Sequence, residues 1–272
     1  MGKINLLIFI LLATLTAFTQ DATKTVIVCT YNYKLPPQKR TTNDKIHYIV
    51  STCYKTSVIT LTEKKDFSSA MDEAFLPKNI LLFVHGDGFD IEKLAFRAAD
   101  FPELYNINTI LFAWSSYKNY NNSKKNIDLD FPYFLQLVDS IKNYAMKNNV
   151  KASVIFHSLG NIFAQKYAFY LENNPDVQQP FTNIIINSAC IPTKDHIFWV
   201  DVLCQKASNN VYITVNKNDK ILKLASIFKE RKQILGKNQG GKISENANYI
   251  DFTNDLKNVS SGLKIILRCY EK

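Results

Sequence analysis

The run Ala152-Ser153-Val154-Ile155-Phe156-His157 ends in Ser158-Leu159-Gly160 and gives way, from Asn161 to Ala168, to residues spaced as on a helix. A β-branched and aromatic run that meets a Ser with Gly two places on describes a strand turning sharply into a helix with a hydroxyl at the apex. Such a turn, a nucleophile elbow, lifts the Ser158 side chain clear of the sheet and aims the next backbone N–H, that of Leu159, at an anion on a carbonyl substrate. Two places before the serine such turns usually hold a small residue, and here Phe156 stands. A serine N-cap that opens an ordinary helix after a buried strand is therefore the other reading.

The rest of the chain is read outward from that turn. Its 272 residues suit one large domain rather than two. Hydrophobic residues at 46% and aromatics at 12% supply a sizeable core. The net charge of +9 is spread over scattered lysines, with no basic stripe or recognised module beside stacking aromatics, so nucleic acid is not an expected partner. Met1-Gly2-Lys3 and the apolar run from Ile4 to Leu15 read as a secretory leader over residues 1–19. The expectation is export to a periplasmic or extracellular space, a single domain over 20–272 and no integral membrane span in the mature chain.

Cysteines at 29, 53, 190, 204 and 269 lack metal-ligand spacing. Cys29 and Cys53, on neighbouring N-terminal strands, form a geometrically conceivable disulfide, and isolated buried thiols are the alternative. No metal or organic cofactor is implied.

Strands are expected over Thr23 to Thr30, His47 to Thr52 and Val58 to Thr62 at a sheet edge. Asn79 to Val84 is a continuous apolar run of the kind that fits a central strand covered on both faces. It ends in His85-Gly86-Asp87-Gly88, where glycine allows unusual backbone angles and close approach of N–H groups to a ligand. A helix over Ile91 to Phe101, a strand over Thr109 to Trp114, a polar loop from Ser115 to Lys125 and a helix over Phe131 to Met146 follow. Past the elbow come strands at Asn183 to Asn187, Val211 to Val215 and Asn248 to Phe252, with helical segments at Asp195 to Cys204 and Ile221 to Phe228. Strands alternating with helices predict an α/β fold, with a mostly parallel central sheet and helices on both faces.

With these elements in order, the chain resembles the α/β-hydrolase superfamily, and within it the serine esterase and lipase-like branch, over nearly its whole length after the leader. The residues that carry the resemblance are Val84-His85-Gly86, Phe112-Ala113-Trp114-Ser115, His157-Ser158-Leu159-Gly160-Asn161 and Asn218-Asp219. It implies a three-layer fold, Ser158 as nucleophile, the backbone N–H groups of Leu159 and Asp87 as oxyanion hole, and Asp219 as the acid that orients a catalytic histidine. The implied partner is a small ester-like substrate or ligand.

A serine hydroxyl needs a base to take its proton and return it to the leaving group. In the family that histidine follows the acid, yet no histidine occurs from Lys220 to Lys272. His85 and His157 match positions with loop-shaping roles, and His47 reads as packing or surface. His196 comes off the same sheet edge as Ser158 and is the substitute base, against the commoner reading of an exposed or helix-capping residue. Three expectations follow: an exported serine esterase, a hydrolase-fold protein that only binds a ligand or partner, or an active form altered at its C-terminus.

Overall fold

The structure is a computed structural model, which describes residues 22–35, 39, 42–54, 59–88, 90–116, 120–208, 210–230 and 233–255. Residues 1–19, expected to be a leader, the stretch from Asn258 to Cys269 and the segment holding Pro36 and Pro37 lie outside the described residues. Nine strands form one sheet: β1 (Thr23–Tyr31), β2 (Thr42–Cys53), β3 (Ile59–Lys64), β4 (Ile80–Val84), β5 (Asn108–Ala113), β6 (Ala152–His157), β7 (Phe181–Asn187), β8 (Val211–Val215) and β9 (Asn248–Asp251). Their spatial order is β3-β2-β1-β5-β4-β6-β7-β8-β9. β2 is antiparallel to both its neighbours, and every other pairing is parallel.

Among the described residues the α-helices are α1 (Phe67–Ala74), α2 (Ile91–Tyr105), α3 (Tyr120–Asn148), α4 (Asn161–Asn173), α5 (His196–Lys206) and α6 (Lys220–Leu224). The side-chain alternation of the strands sorts the core into two layers. Leu81 and Phe83 of β4 point to one face, where they meet Leu94, Ala98 and Phe101 of α2. Leu82 and Val84 point to the other, where Met71 of α1, Phe134 of α3, Phe163 of α4 and Trp199 of α5 complete a larger cluster. Helices thus cover both faces of a mostly parallel sheet, the three-layer arrangement expected. All five residues of β4 are buried, which is why its sequence is continuously apolar rather than alternating.

Some boundaries differ from the sequence reading. Helix α3 begins at Tyr120, within the stretch expected to be a loop, and continues through Pro132. Its first three turns bury Tyr120, Ser123, Ile127 and Asp130, a helical repeat hidden by two polar members. Asp130 earns its burial by accepting the backbone N–H of Ser115 at 2.8 Å. Helix α1, absent from the sequence reading, buries Ala70 and Met71, and it starts at Asp66, which accepts the Ser69 N–H at 2.8 Å in a capping box. The conceivable disulfide does not form. Cys29 pairs across the ladder with His47 and Cys53 with Thr23, six residues apart along the strand, or roughly 20 Å at 3.3 Å per residue. Cys29, Cys53, Cys190 and Cys204 are all buried thiols. No described helix is long and apolar enough to cross a membrane.

Candidate active site

The chain runs from β4 outward to β5 and then crosses back over β4 to reach β6. The connections after β4 and β6 therefore leave the sheet on opposite sides, and a crevice opens at the carboxyl ends of these two strands. His85, Gly86 and Asp87 follow β4 into this crevice, and Ser158 follows β6.

Ser158 has φ of 53°, in the left-handed region that a residue with a β-carbon rarely enters. Such a conformation costs on the order of 1–3 kcal/mol and persists only where its surroundings over-determine it. An N-cap serine has extended backbone and accepts a helix N–H. Ser158 does neither, and a short 3-10 turn over Ser158–Gly160 leads into α4. The strained turn is held at its carbonyl, which accepts Asn161 Nδ2 at 2.9 Å and the Cys190 N–H at 3.1 Å.

Close packing holds it from the β4 side. A β-carbon on Gly160 would lie 2.4 Å from the His85 carbonyl oxygen and 2.9 Å from that of Val84. A β-carbon on Gly86 would lie 2.8 Å from Ser158 Cβ and 3.3 Å from Ser158 Oγ. Gly160 has an ordinary helical φ of −58°, so its role is space rather than backbone freedom. Phe156 does not obstruct the turn. Its ring is directed into the α3 layer, 5.8 Å from that of Phe134, and is fully buried.

Leu159 and Gly160 open the helical run, where the first N–H groups have no intrahelical acceptor. These donors and the positive end of the helix dipole favour negative charge beside Ser158 Oγ. Asp87 is half-buried in the facing loop, and its carboxylate accepts the hydroxyl of Ser123 on α3 at 2.5 Å. The loop is fixed further by Gly88, whose N–H donates to Ser116 Oγ at 3.3 Å.

The expected base and acid are placed elsewhere in the hydrogen-bond network. Asp219 follows β8, as expected, and accepts the Leu222 N–H at 2.9 Å as the N-cap of α6. Burial raises its carboxyl above the ordinary range, opposed by the helix N–H groups it accepts. His196 is buried at the start of α5, where Nδ1 donates to the Thr193 carbonyl at 2.8 Å and Nε2 accepts the Tyr249 hydroxyl at 2.8 Å. Burial lowers its pKa. Among the described residues no hydrogen bond joins Ser158 Oγ to an imidazole, and none joins Asp219 to a histidine.

Two further histidines flank the serine. His85 donates from Nδ1 to the Gly86 carbonyl at 2.6 Å and stacks on Trp114, whose indole N–H donates to the His85 carbonyl at 2.8 Å. Burial pushes its pKa down to about 3. His157 lies beside Asn187 at the end of β7, Nδ1 to Nδ2 at 2.8 Å, and burial with the Arg97 charge lowers its pKa to about 4. Asn161, Asn187 and Thr214 escape a reading of the sequence for reactive groups. Their signal is positional, since all are buried polar residues at the carboxyl ends of adjacent strands or the turn beside them.

Residues 62–268 match the family described as alpha/beta hydrolase of unknown function (DUF900). The chain belongs to this family. The chain is also similar to an uncharacterised protein from Capnocytophaga ochracea of known crystal structure, with 10% identity and a TM-score of 0.39 over 92% of this chain. It spans 65% of that protein's length. Among functionally curated proteins, none matches this chain. The expected superfamily membership and the three-layer fold hold. Among the described residues no group of three or more His, Cys, Asp or Glu is arranged to hold a metal ion.

Proposed function

We propose that this hydrolase cleaves a small carboxylic ester or related acyl compound through Ser158. The observation that carries the reading is the left-handed backbone of Ser158, a strain retained at a half-buried serine between the carboxyl ends of β4 and β6. Ser158 Oγ would attack the carbonyl carbon, and the N–H groups of Leu159 and Asp87 would receive the oxyanion. Collapse of that intermediate expels the alcohol, and water then releases the acid from the acyl-enzyme. His196 and Asp219 serve as base and orienting acid in this reading only if His196 leaves Thr193 and Tyr249 when substrate binds.

A second reading is favoured by that same network. A hydrolase-fold protein that binds an ester-like ligand without turning it over needs the crevice and the N–H donors, and no base. A fluorophosphonate probe, read by intact mass, separates the two. The esterase reading expects stoichiometric labelling that Ser158→Ala abolishes, and hydrolysis of p-nitrophenyl esters. His196→Gln should slow labelling at least a hundredfold if His196 is the base. Folded wild-type protein that resists the probe would establish the binding reading instead.

A further inference from the structure

Three adjacent strands, β6, β7 and β8, end in a row of buried or half-buried polar side chains: His157, Asn187 and Thr214. The protons along the row can be assigned. The Ser188 N–H donates to Thr214 Oγ1 at 3.1 Å, and the Thr214 hydroxyl donates to Asn187 Oδ1 at 2.9 Å. With the Ser188 N–H on a lone pair of Thr214 Oγ1, the hydroxyl hydrogen is used best when the Asn187 oxygen faces it, which turns Nδ2 toward His157. Asn187 Nδ2 then donates to His157 Nδ1 at 2.8 Å. A ring nitrogen that accepts carries no proton, so the neutral imidazole bears its proton on Nε2.

The row is fastened to the elbow. Asn161 Nδ2 donates both to the Ser158 carbonyl at 2.9 Å and to the Asn187 carbonyl at 3.0 Å. Ser188, directly after Asn187, shares with Ser158 a left-handed backbone, at φ of 44°. Two neighbouring strands thus end in strained serines tied to one another through Asn161, Asn187 and the Cys190 N–H.

We propose that Asn187 is a positioning residue: fixed by Thr214, it holds His157 in the neutral Nε2–H form, so the residue preceding Ser158 is a hydrogen-bond donor and not its base. A protonated His157 would set two N–H groups against each other at Asn187. Among the described charged and titratable groups, Arg97 on α2 and His85 at the end of β4 are coupled electrostatically to this ring. Arg97 disfavours its charged form, and a charged His157 would disfavour that of His85. The tautomer lock stands independently of the esterase reading. Only its effect on Ser158 reactivity rests on that reading.

The test is long-range proton–nitrogen NMR of the full chain labelled with nitrogen-15 histidine, from pH 5 to 8, with His157→Gln to assign the resonance. The wild type should show the Nε2–H pattern and no titration midpoint above pH 5. Asn187→Asp places an acceptor at Nδ1, so the midpoint should rise by at least one unit and the proton should move to Nδ1. Thr214→Val keeps the volume but frees the amide to rotate, and should yield mixed tautomers, so the test survives if the Asp variant does not fold. A wild-type Nδ1–H pattern, a midpoint near 6.5, or Asp and Val variants that fold and keep the wild-type tautomer would overturn the proposal. Labelling of Ser158 should slow about tenfold in Thr214→Val. If the wild type takes no label, the esterase reading fails while the tautomer result still decides the lock.

Discussion

Gly86 and Gly160 lie on either side of the strained serine, and their neighbours differ in kind. An alanine methyl at 160 meets two backbone carbonyls of β4 and its loop, at 2.4 and 2.9 Å, which move only if the sheet moves. Overpacking of this kind costs about 1–3 kcal/mol, and Gly160→Ala is expected at or above the top of that range in urea unfolding. At 86 the nearest atom is Ser158 Cβ at 2.8 Å, followed by the His157 carbonyl oxygen at 3.2 Å and Ser158 Oγ at 3.3 Å, so the closest clash falls on the serine side chain rather than on the sheet. Gly86→Ala is therefore expected to lose less stability and more reactivity, with probe labelling at least a hundredfold slower. The reverse ranking would mean that the Gly86 approach does not control the serine. Both glycines and Ser158 were legible in the sequence, because a tight strand-to-helix turn leaves few residue types that fit. The braces at Asn161, Asn187 and Thr214 were not, since a polar residue at a strand end reads as an ordinary turn former until its partners on other strands are known.

At the scale of elements, Asp219 and α6 separate a cap from a catalytic acid. The Asp219 side chain accepts the Leu222 N–H, which stabilises the helix start by about 1 kcal/mol. Asparagine caps as well as aspartate but cannot balance an imidazolium. Asp219→Asn should keep labelling within a factor of about three of wild type if Asp219 serves only as this cap, and should lose orders of magnitude if it orients His196 as the proposed acid. The stability comparison has a definite sign. Burial raises the folded pKa of Asp219, so its folded state favours the neutral form and is relatively disadvantaged once pH exceeds both carboxyl pKa values. Asp219→Asn should therefore be at least as stable as wild type at pH 7, an advantage that disappears as pH falls below the ordinary carboxylate pKa of about 4. Asp219→Ala should lose about 1 kcal/mol relative to the Asn variant. The strands were legible where the ends of some helices were not. An apolar run such as Ile80–Val84 is dictated by burial on both faces, whereas the ends of α3 and α1 are set by Ser123, Asp130, Asp66 and Ser69, polar residues whose burial or capping the local pattern does not reveal.

The whole molecule closes its carboxyl edge around histidines kept neutral. Burial depresses His85 to about 3 and, together with Arg97, His157 to about 4, while an unfolded histidine titrates near 6.5. Between those values the unfolded chain binds protons that the folded chain refuses. Stability contributed by both residues is fully present above pH 6.5 and is lost as pH falls toward the folded pKa values. Two such protons give a slope approaching about 2.7 kcal/mol per pH unit near pH 5, against a total stability of roughly 5–15 kcal/mol for a domain. His196, also depressed by burial, adds to the same trend. Urea midpoints measured at half-unit steps from pH 7.5 to 5 should fall steeply below pH 6.5, and His157→Gln should reduce the slope by up to about 1.4 kcal/mol per unit, the share of one proton. Midpoints that stay level from pH 7 to 5 would mean that these imidazoles accept protons within the folded state. In that case the residue before Ser158 would be free to act as a base, and the packing of β4, β6 and β7 would not be what keeps it neutral.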